Sequence, residues 1–149
     1  MELRALGGSG IKVSPLGLGT VKLGRNQQVK YPRAFSLPDD AEVSYLLGLA
    51  RELGINLLDT APAYGTSQER LGKLLPGPRD SWVIVSKVGE IFENGISRFD
   101  FSFAGTRKMV ENSLRVLGTD YLDCVLIHSD GDDLRILQQE GVFDALCAL

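Results

Sequence analysis

Four polar residues of this sequence stand at or just after the ends of apolar segments, and their side chains have complementary acid–base chemistry. Asp59, Lys87 and His128 each end an apolar run, and Tyr64 follows Asp59 across a turn that contains Pro62. A free tyrosine has a pKa near 10, which is too high for efficient proton exchange near neutral pH. A lysine ammonium close by would stabilise the phenolate and lower that pKa, and an aspartate would hold the lysine charged and in place.

The histidine would complete this group, because it could donate a hydrogen bond to a substrate oxygen and orient the substrate. Together the four residues would form a proton donor for a carbonyl group that is being reduced. No side chain can supply a hydride, so this chemistry would require a cofactor. Considered singly, the aspartate could be a helix cap, the lysine a solvated residue, the tyrosine a packed one and the histidine a structural one. Their positions at the ends of successive apolar segments favour the catalytic interpretation.

These residues belong to a pattern of strand, loop and helix that repeats four times along the chain. Near-continuously apolar strands are typical of a parallel sheet covered on both faces, and catalytic groups collect at the carboxyl ends of such strands. The predicted strands end at Thr20, Asp59, Lys87 and His128. The pattern predicts strands over 15–20, 55–59, 81–86 and 121–127, helices over 39–53, 67–75, 104–117 and after 133, a hairpin over 2–14, and loops over 21–38 and 88–103.

Two helices begin with sequence signals for capping. Asp39 with Glu42, and Thr66 with Glu69, have the three-residue spacing at which a capping side chain and a glutamate satisfy each other's backbone N–H groups. Gly54 is placed to end the first of these helices in a left-handed conformation.

The predicted fold class is α/β, with four βα units that make half of an eight-stranded (β/α)8 TIM barrel, preceded by the hairpin. A complete barrel typically takes about 250 residues, and this chain has 149. An open half-barrel would expose long apolar edges. We therefore expect residues 1–149 to be the N-terminal portion of a single barrel domain in a longer, truncated chain; the alternative is self-association of half-barrels.

The chain resembles the aldo-keto reductase family over essentially its whole length. The segment that carries the resemblance most specifically contains Asp59-Thr60-Ala61, Tyr64-Gly65, Ser67, Glu69 and Leu71-Gly72. Gly17-Leu18-Gly19-Thr20 is similar to the family's first strand, and Lys87 and His128 fall where the family carries its lysine and histidine.

This resemblance implies reduction of an aldehyde or ketone, or the reverse oxidation, with NADPH as the cofactor and NADH not excluded. It implies Tyr64 as the general acid, Lys87 and Asp59 as its activating pair, and His128 as the residue that orients the substrate. It also implies that Gly19, Thr20 and Asp59 lie near the nicotinamide. The family's remaining cofactor contacts belong to strands five to eight, so we expect the isolated chain to be inactive.

Composition excludes several other classes of protein. A net charge of -3, a pI near 5.2 and the lack of a basic run argue against a partner that is a nucleic acid or a membrane surface. No apolar run approaches the roughly 20 residues of a membrane span, and the N-terminus has no signal region, which predicts a cytoplasmic protein. Cys124 and Cys147 are expected to be small buried residues rather than a disulfide. One histidine and two cysteines make no recognisable zinc signature.

Two other functions remain open at this stage. Lys87 could form a Schiff base with a carbonyl substrate in a lyase, or the chain could be a non-catalytic regulatory subunit that binds a nicotinamide cofactor. The substrate is equally open among sugars, small aldehydes and cyclic ketones. Aromatic residues of the two long loops could either stack on a substrate or pack against the protein: Tyr31, Phe35, Phe92, Phe99 and Phe101.

Overall fold

A four-stranded parallel sheet forms the centre of the structure, a computed structural model that describes residues 1–138 and 140–149. Its strands are β3 (Gly17–Gly19), β4 (Leu57–Asp59), β5 (Val83–Val88) and β8 (Cys124–Ile127). They lie in the order β3-β4-β5-β8, which is their order along the chain. The helices that cover the sheet are α1 (Val21–Gly24), α2 (Asp40–Glu52), α3 (Ser67–Leu74), α4 (Phe103–Leu117), α5 (Asp133–Gln138) and α6 (Glu140–Cys147).

The predicted N-terminal hairpin is confirmed. β1 (Arg4–Ala5) pairs with antiparallel β2 (Lys12–Val13) across a glycine-rich turn. Asn56 fastens this hairpin to the amino end of β4. Its side chain accepts a hydrogen bond from the Ser14 N–H at 2.7 Å and donates one to the Lys12 carbonyl at 3.0 Å.

The capping prediction for α2 is confirmed, and the one for α3 is wrong. Asp39 and Glu42 each accept a hydrogen bond from the other's backbone N–H, at 2.8 and 2.9 Å. Gly54 follows this helix with φ +76°, as expected of a left-handed stop. Thr66 precedes α3, but its side chain makes no capping bond. Its backbone (φ −86°, ψ 9°) is not extended as a capping residue requires, because the chain enters α3 directly from a 3₁₀ turn at Pro62–Tyr64.

Two apolar clusters hold the helices against the sheet. The first lies under α2 and α3 and contains Val43, Leu47, Leu58, Leu71 and the almost completely buried Trp82. The second lies under α4 and α6 and contains Val88, Met109, Ile136 and Val142. Among the residues that the structure describes, no helix is long and apolar enough to cross a membrane.

The segment predicted as a loop over 88–103 contains a β-hairpin, so that prediction is wrong. β6 (Glu90–Glu93) pairs with antiparallel β7 (Ile96–Phe99). Asn94 and Gly95 connect them with φ +52° and +77°, the two positive angles of a type I′ turn. An Asn-Gly pair between short apolar–polar stretches is the sequence signal for this hairpin.

Smaller corrections concern strand and loop boundaries and the cysteines. β5 continues past Lys87 to Val88, because Lys87 pairs with Leu126 in the parallel register of β8. The predicted loop over 21–38 begins with the short helix α1. Cys124 is only half-buried and Cys147 is exposed, whereas both were expected to be buried; both are free thiols.

A close backbone contact between Gly24 and the segment after Tyr64 gives the first prediction. A Cβ at Gly24 would collide with the backbone of Tyr64, Thr66 and Ser67. We expect Gly24→Ala to lower the free energy of unfolding by about 1–3 kcal/mol, the usual cost of overpacking. Urea denaturation of the chain measures this.

The matched control is Gly48→Ala in the middle of α2, where an added Cβ meets no atom within 4 Å. This change should stabilise the chain by up to about 1 kcal/mol through helix propensity. Equal effects of the two substitutions would contradict a tight contact at Gly24.

Candidate active site

The carboxyl ends of the parallel strands bring the four predicted residues to one edge of the sheet. Asp59 is the last residue of β4, and it pairs with Val85 of β5 and Gly19 of β3. Lys87 lies two residues beyond Val85, and His128 directly follows β8. The backbone N–H of His128 still donates to the Val88 carbonyl at 2.7 Å, which continues the ladder and fixes the position of this residue.

Asp59 and Lys87 form an ion pair across neighbouring strands. The Lys87 Nζ donates to Asp59 Oδ2 at 2.6 Å and to the Thr60 carbonyl at 3.2 Å. The lysine side chain is 11% exposed and the aspartate 40% exposed, so the pair is shielded on the lysine side and open on the aspartate side.

Tyr64 reaches the same place from the 3₁₀ turn at Pro62–Tyr64. Its hydroxyl donates to Asp59 Oδ1 at 3.3 Å, and the Lys87 Nζ lies 4.9 Å from its ring centroid. Burial, together with the negative charge of Asp59, raises the pKa of Tyr64 to about 12. The expectation of a lowered pKa is therefore wrong for the chain as it stands, because burial and Asp59 dominate and the Lys87 ammonium is paired with Asp59.

His128 also lies next to Tyr64. The two rings are nearly perpendicular, at 88°, with centroids 6.1 Å apart. Burial lowers the pKa of His128 and the nearby Lys87 adds to this, while Glu90 acts in the opposite direction; the net result is a pKa below the ordinary value of 6.5. The ring is therefore mostly neutral at neutral pH.

Two of the three residues predicted near a cofactor ring occupy the open side of this edge. Gly19 is exposed, and a Cβ there would meet no atom within 4 Å, so a flat ring has room beside Asp59. Thr20 differs from expectation, since it is completely buried. Its hydroxyl donates to the Asp59 carbonyl at 2.9 Å and accepts from Ser67 at 2.8 Å, so it supports Asp59 from behind.

A cleft of about 620 Å³ opens beside Tyr64 and His128. Its other walls are the segment after α1, the hairpin β6–β7 and the residues after His128. Polar groups that line it include Gln28, Ser97 and Asp130. Another cavity, of about 710 Å³, lies beside Arg79 near the start of β5, at the opposite end of the strands from Asp59, and has no connection with these residues.

The aromatic residues of the two long segments divide between cleft and packing. Tyr31 and Phe99 line the cleft. Phe35 packs edge-on against Tyr31 at 5.6 Å, Phe92 lies under the Arg25 guanidinium at 3.7 Å, and Phe101 is buried in the second core cluster. Thus two of the five are placed to meet a substrate.

Sequence reasoning missed two charged residues next to His128. Arg25 and Glu90 form a buried ion pair of 3.0 Å, with side chains 7% and 11% exposed. Glu90 opens the hairpin that was predicted as a loop, and recognition of the Asn94-Gly95 turn would have placed it on a strand. In the described part of the chain, no group of three or more His, Cys, Asp or Glu residues is arranged to hold a metal ion.

Comparison with known proteins relates this chain to one family. A sequence model of the Aldo/keto reductase family matches residues 15–149. L-galactose dehydrogenase from Arabidopsis thaliana is 40% identical over 133 residues, which make up 86% of this chain and 38% of that protein. The chain thus spans well under half the length of this curated relative.

Solved structures of aldo-keto reductases are also similar to this chain, which again covers only about half of each of them. A structure assigned to the aldo-keto reductases from Pseudomonas aeruginosa is 58% identical, with a TM-score of 0.89 over 99% of this chain and 55% of that one. The holo form of an aldo-keto reductase from Bacillus halodurans is 35% identical, with a TM-score of 0.71 over 95% of this chain and 48% of that one. The four βα units correspond to about half of the TIM barrel of these structures.

The hydrogen bond between Tyr64 and Asp59 gives the second prediction. We expect Asp59→Asn to lower the pKa of Tyr64 by about 1 or more, because the substitution removes the charge that opposes the phenolate. The midpoint is measured from the ¹³Cζ signal of Tyr64 in a titration from about pH 8 to about pH 13, assigned by its loss in Tyr64→Phe.

The exposed Asp80, at the other end of the strands, provides the control. Asp80→Asn should leave the Tyr64 midpoint unchanged. A midpoint in Asp59→Asn that is equal to or above that of the parent chain would refute the assigned cause.

Proposed function

This chain belongs to the aldo/keto reductase family, and from that premise we propose that it is the catalytic half of an enzyme that reduces an aldehyde or ketone to an alcohol with NAD(P)H, or catalyses the reverse oxidation. The observation that carries the proposal is the meeting of Asp59, Lys87, Tyr64 and His128 at one edge of the sheet, where Tyr64 and His128 line a cleft. In the whole barrel, residues 1–149 would supply the first four βα units.

Tyr64 is the proposed proton donor. With a pKa of about 12 it is protonated throughout the neutral range, so it carries the proton that a reduced carbonyl oxygen needs. When a carbonyl carbon receives a hydride, its oxygen becomes an alkoxide, which is a stronger base than a phenolate and takes this proton. Lys87 then stabilises the phenolate by its positive charge, which lies 4.9 Å from the ring centroid.

Asp59 has two roles in this proposal. It keeps the Lys87 ammonium in place through the 2.6 Å contact, and it accepts the Tyr64 hydrogen bond while the site is at rest. When a substrate oxygen takes over that hydrogen bond, the phenol loses its contact with the carboxylate. Part of the cause of the raised pKa is then removed, and the phenol becomes a better acid.

The nicotinamide cofactor supplies the hydride when it is bound. Gly19 and Asp59 are the residues of this chain proposed to lie beside its ring, and Thr20 supports Asp59 without offering its own hydroxyl. NADPH is the proposed form, by resemblance to the family, and the family as a whole uses NAD(P)H.

The proposed substrate is a small polar carbonyl or alcohol compound such as a sugar. The support is the mixture of hydrogen-bonding and aromatic groups around the cleft, with Gln28, Ser97 and Asp130 beside Tyr31 and Phe99. L-galactose dehydrogenase, a relative at 40% identity, is named for a sugar.

The structure weighs against a Schiff-base lyase. The Lys87 Nζ is mostly buried and donates to the Asp59 carboxylate at 2.6 Å and to the Thr60 carbonyl at 3.2 Å, so the nitrogen that would attack a carbonyl is already engaged. The complete set of four polar residues likewise weighs against a degenerate regulatory subunit.

The third prediction tests the role of Tyr64 in the full-length protein. Tyr64→Phe should reduce kcat for carbonyl reduction by about 10²- to 10⁴-fold, the usual contribution of a general acid, with little change in the dissociation constant of the cofactor. Loss of NAD(P)H absorbance measures turnover, and cofactor fluorescence measures binding.

Tyr45→Phe is the matched control, because Tyr45 is 74% exposed on the outer face of α2. It should retain the parental rate. A Tyr64→Phe variant that turns over at the parental rate would disprove the proposed proton donor.

The fourth prediction concerns the 149-residue chain alone. It should fold but should not consume NAD(P)H in the presence of aldehydes, because we propose that the rest of the barrel supplies the remaining cofactor contacts. Steady-state assays on a fraction verified as monomeric by light scattering test this. Turnover by that fraction would show that the first four βα units suffice.

A further inference from the structure

A largely buried polar cluster lies beside His128 and forms part of the wall of the same cleft, which Arg25, Glu90 and Ser97 help to line. Glu90 is its centre. Its Oε1 accepts hydrogen bonds from Arg25 Nη1 at 3.0 Å and from Ser97 Oγ at 2.6 Å. Arg25 also donates to the Ala63 carbonyl at 2.9 Å, and Ala63 directly precedes Tyr64. The cluster therefore connects the backbone that carries the proton donor with the hairpin beside the histidine.

The second oxygen of Glu90 faces the histidine. Oε2 lies 3.1 Å from His128 Nδ1. This nitrogen is buried and has no hydrogen bond of good geometry among the described residues, while the His128 side chain, 28% exposed overall, lines the cleft. A small rotation of either side chain would convert the close approach into a hydrogen bond, and no other step is needed to satisfy the buried nitrogen.

The neutral ring can carry its proton on either nitrogen, and the carboxylate distinguishes the two forms. With the proton on Nε2, the lone pair of Nδ1 would be directed at a carboxylate oxygen, and the two would repel. With the proton on Nδ1, the same approach is attractive. The carboxyl group of Glu90 favours the ionised form that this contact requires. Burial would raise the pKa of Glu90, but the hydrogen bonds from Ser97 and Arg25 outweigh burial and lower this pKa.

We propose that Glu90 is a positioning residue for His128, which holds the ring proton on Nδ1 and leaves Nε2 facing the cleft. The proposal rests on the function proposed above and deepens it. The hydrogen bond that His128 offers to a substrate then depends on its charge. Neutral His128 presents an acceptor, which suits the hydroxyl of an alcohol, and protonated His128 presents a donor, which suits a carbonyl oxygen.

This assignment changes the expected role of His128. It donates a hydrogen bond to a carbonyl only as the imidazolium, so acid conditions favour reduction and neutral conditions favour orientation of the alcohol for oxidation. The charged and titratable groups that act on the ring come from each element around it: Asp59 on β4, Tyr64 on the 3₁₀ turn, Lys87 on β5, Glu90 on β6 and Arg25 after α1.

The fifth prediction uses the fact that the chain contains a single histidine. In the 149-residue chain made without a polyhistidine tag, all imidazole ¹⁵N signals therefore belong to His128. Above its pKa, the parent should show a protonated Nδ1 and an unprotonated Nε2. In Glu90→Gln the population should move toward the Nε2-protonated form, and the pKa of His128 should fall by about 1, because the charge that favours the imidazolium is gone.

Glu93→Gln is the matched control, since Glu93 lies exposed on the same strand. It should preserve both the tautomer and the midpoint. An Nε2-protonated ring in the parent, or a Glu90→Gln chain with unchanged tautomer and midpoint, would overturn the proposal.

A second measurement needs no variant and so does not depend on whether Glu90→Gln folds. In the parent, the side-chain ¹³C carboxyl signal of Glu90 should show an inflection at the pH where His128 titrates, because the two groups are in contact. A Glu90 signal that is flat through the His128 midpoint would contradict the contact.

Activity measurements on the full-length enzyme distinguish a failure of this inference from a failure of the proposed function. In the full-length enzyme, Glu90→Gln should move the acid limb of alcohol oxidation to lower pH by about the same amount as the NMR midpoint. A full-length protein without turnover but with the expected ¹⁵N signals would refute the function and leave the tautomer assignment standing. A full-length enzyme that turns over with an unshifted profile would refute the positioning role alone.

Discussion

The ion pair between Lys87 and Asp59 is the contact on which the arrangement of the site depends. It joins two neighbouring parallel strands at their carboxyl ends with a separation of 2.6 Å. Each strand is held in register by backbone hydrogen bonds, so the two charges meet without any adjustment of loops. A charge as deeply placed as that of Lys87 requires such a partner. Tyr64 then takes its position from the second oxygen of the same carboxylate.

A second layer of buried polar groups supports this pair. Thr20, Thr60 and Ser67 link their hydroxyls behind Asp59 at 2.8 and 3.3 Å, and Gln68 bonds Ser86 beneath Lys87 at 2.9 Å. These groups have partners among themselves, which is the usual condition for burying polar atoms at low cost. The active edge of the sheet is therefore rigid on its inner side, while its outer side is an open cleft.

The sequence predicted the parts of this site that depend on regular secondary structure. Asp59, Lys87 and His128 follow from the apolar strands that precede them, and the parallel sheet brings strand ends together by geometry alone. The ion pair between Glu90 and Arg25 could not be predicted from the sequence. It joins one residue of a hairpin to one residue of an irregular segment, and no sequence periodicity connects the two. The direction in which the pKa of Tyr64 is shifted could not be predicted from the sequence either. It depends on where the lysine lies relative to the ring and on which group accepts the hydrogen bond from the phenol.

The close approach of Gly24 to the 3₁₀ turn that carries Tyr64 affects which parts of such a protein can change in sequence during evolution. The turn is held by backbone contacts, including the bond from the Thr66 N–H to the Gly24 carbonyl at 3.3 Å, and by the Arg25 guanidinium, which donates to the Ala63 carbonyl at 2.9 Å. Residues 26–37 and the tip of the hairpin can therefore be exchanged while the phenol stays in place. The position of the proton donor and the choice of substrate are set by separate parts of the chain, so selection can alter substrate preference without rebuilding the chemistry.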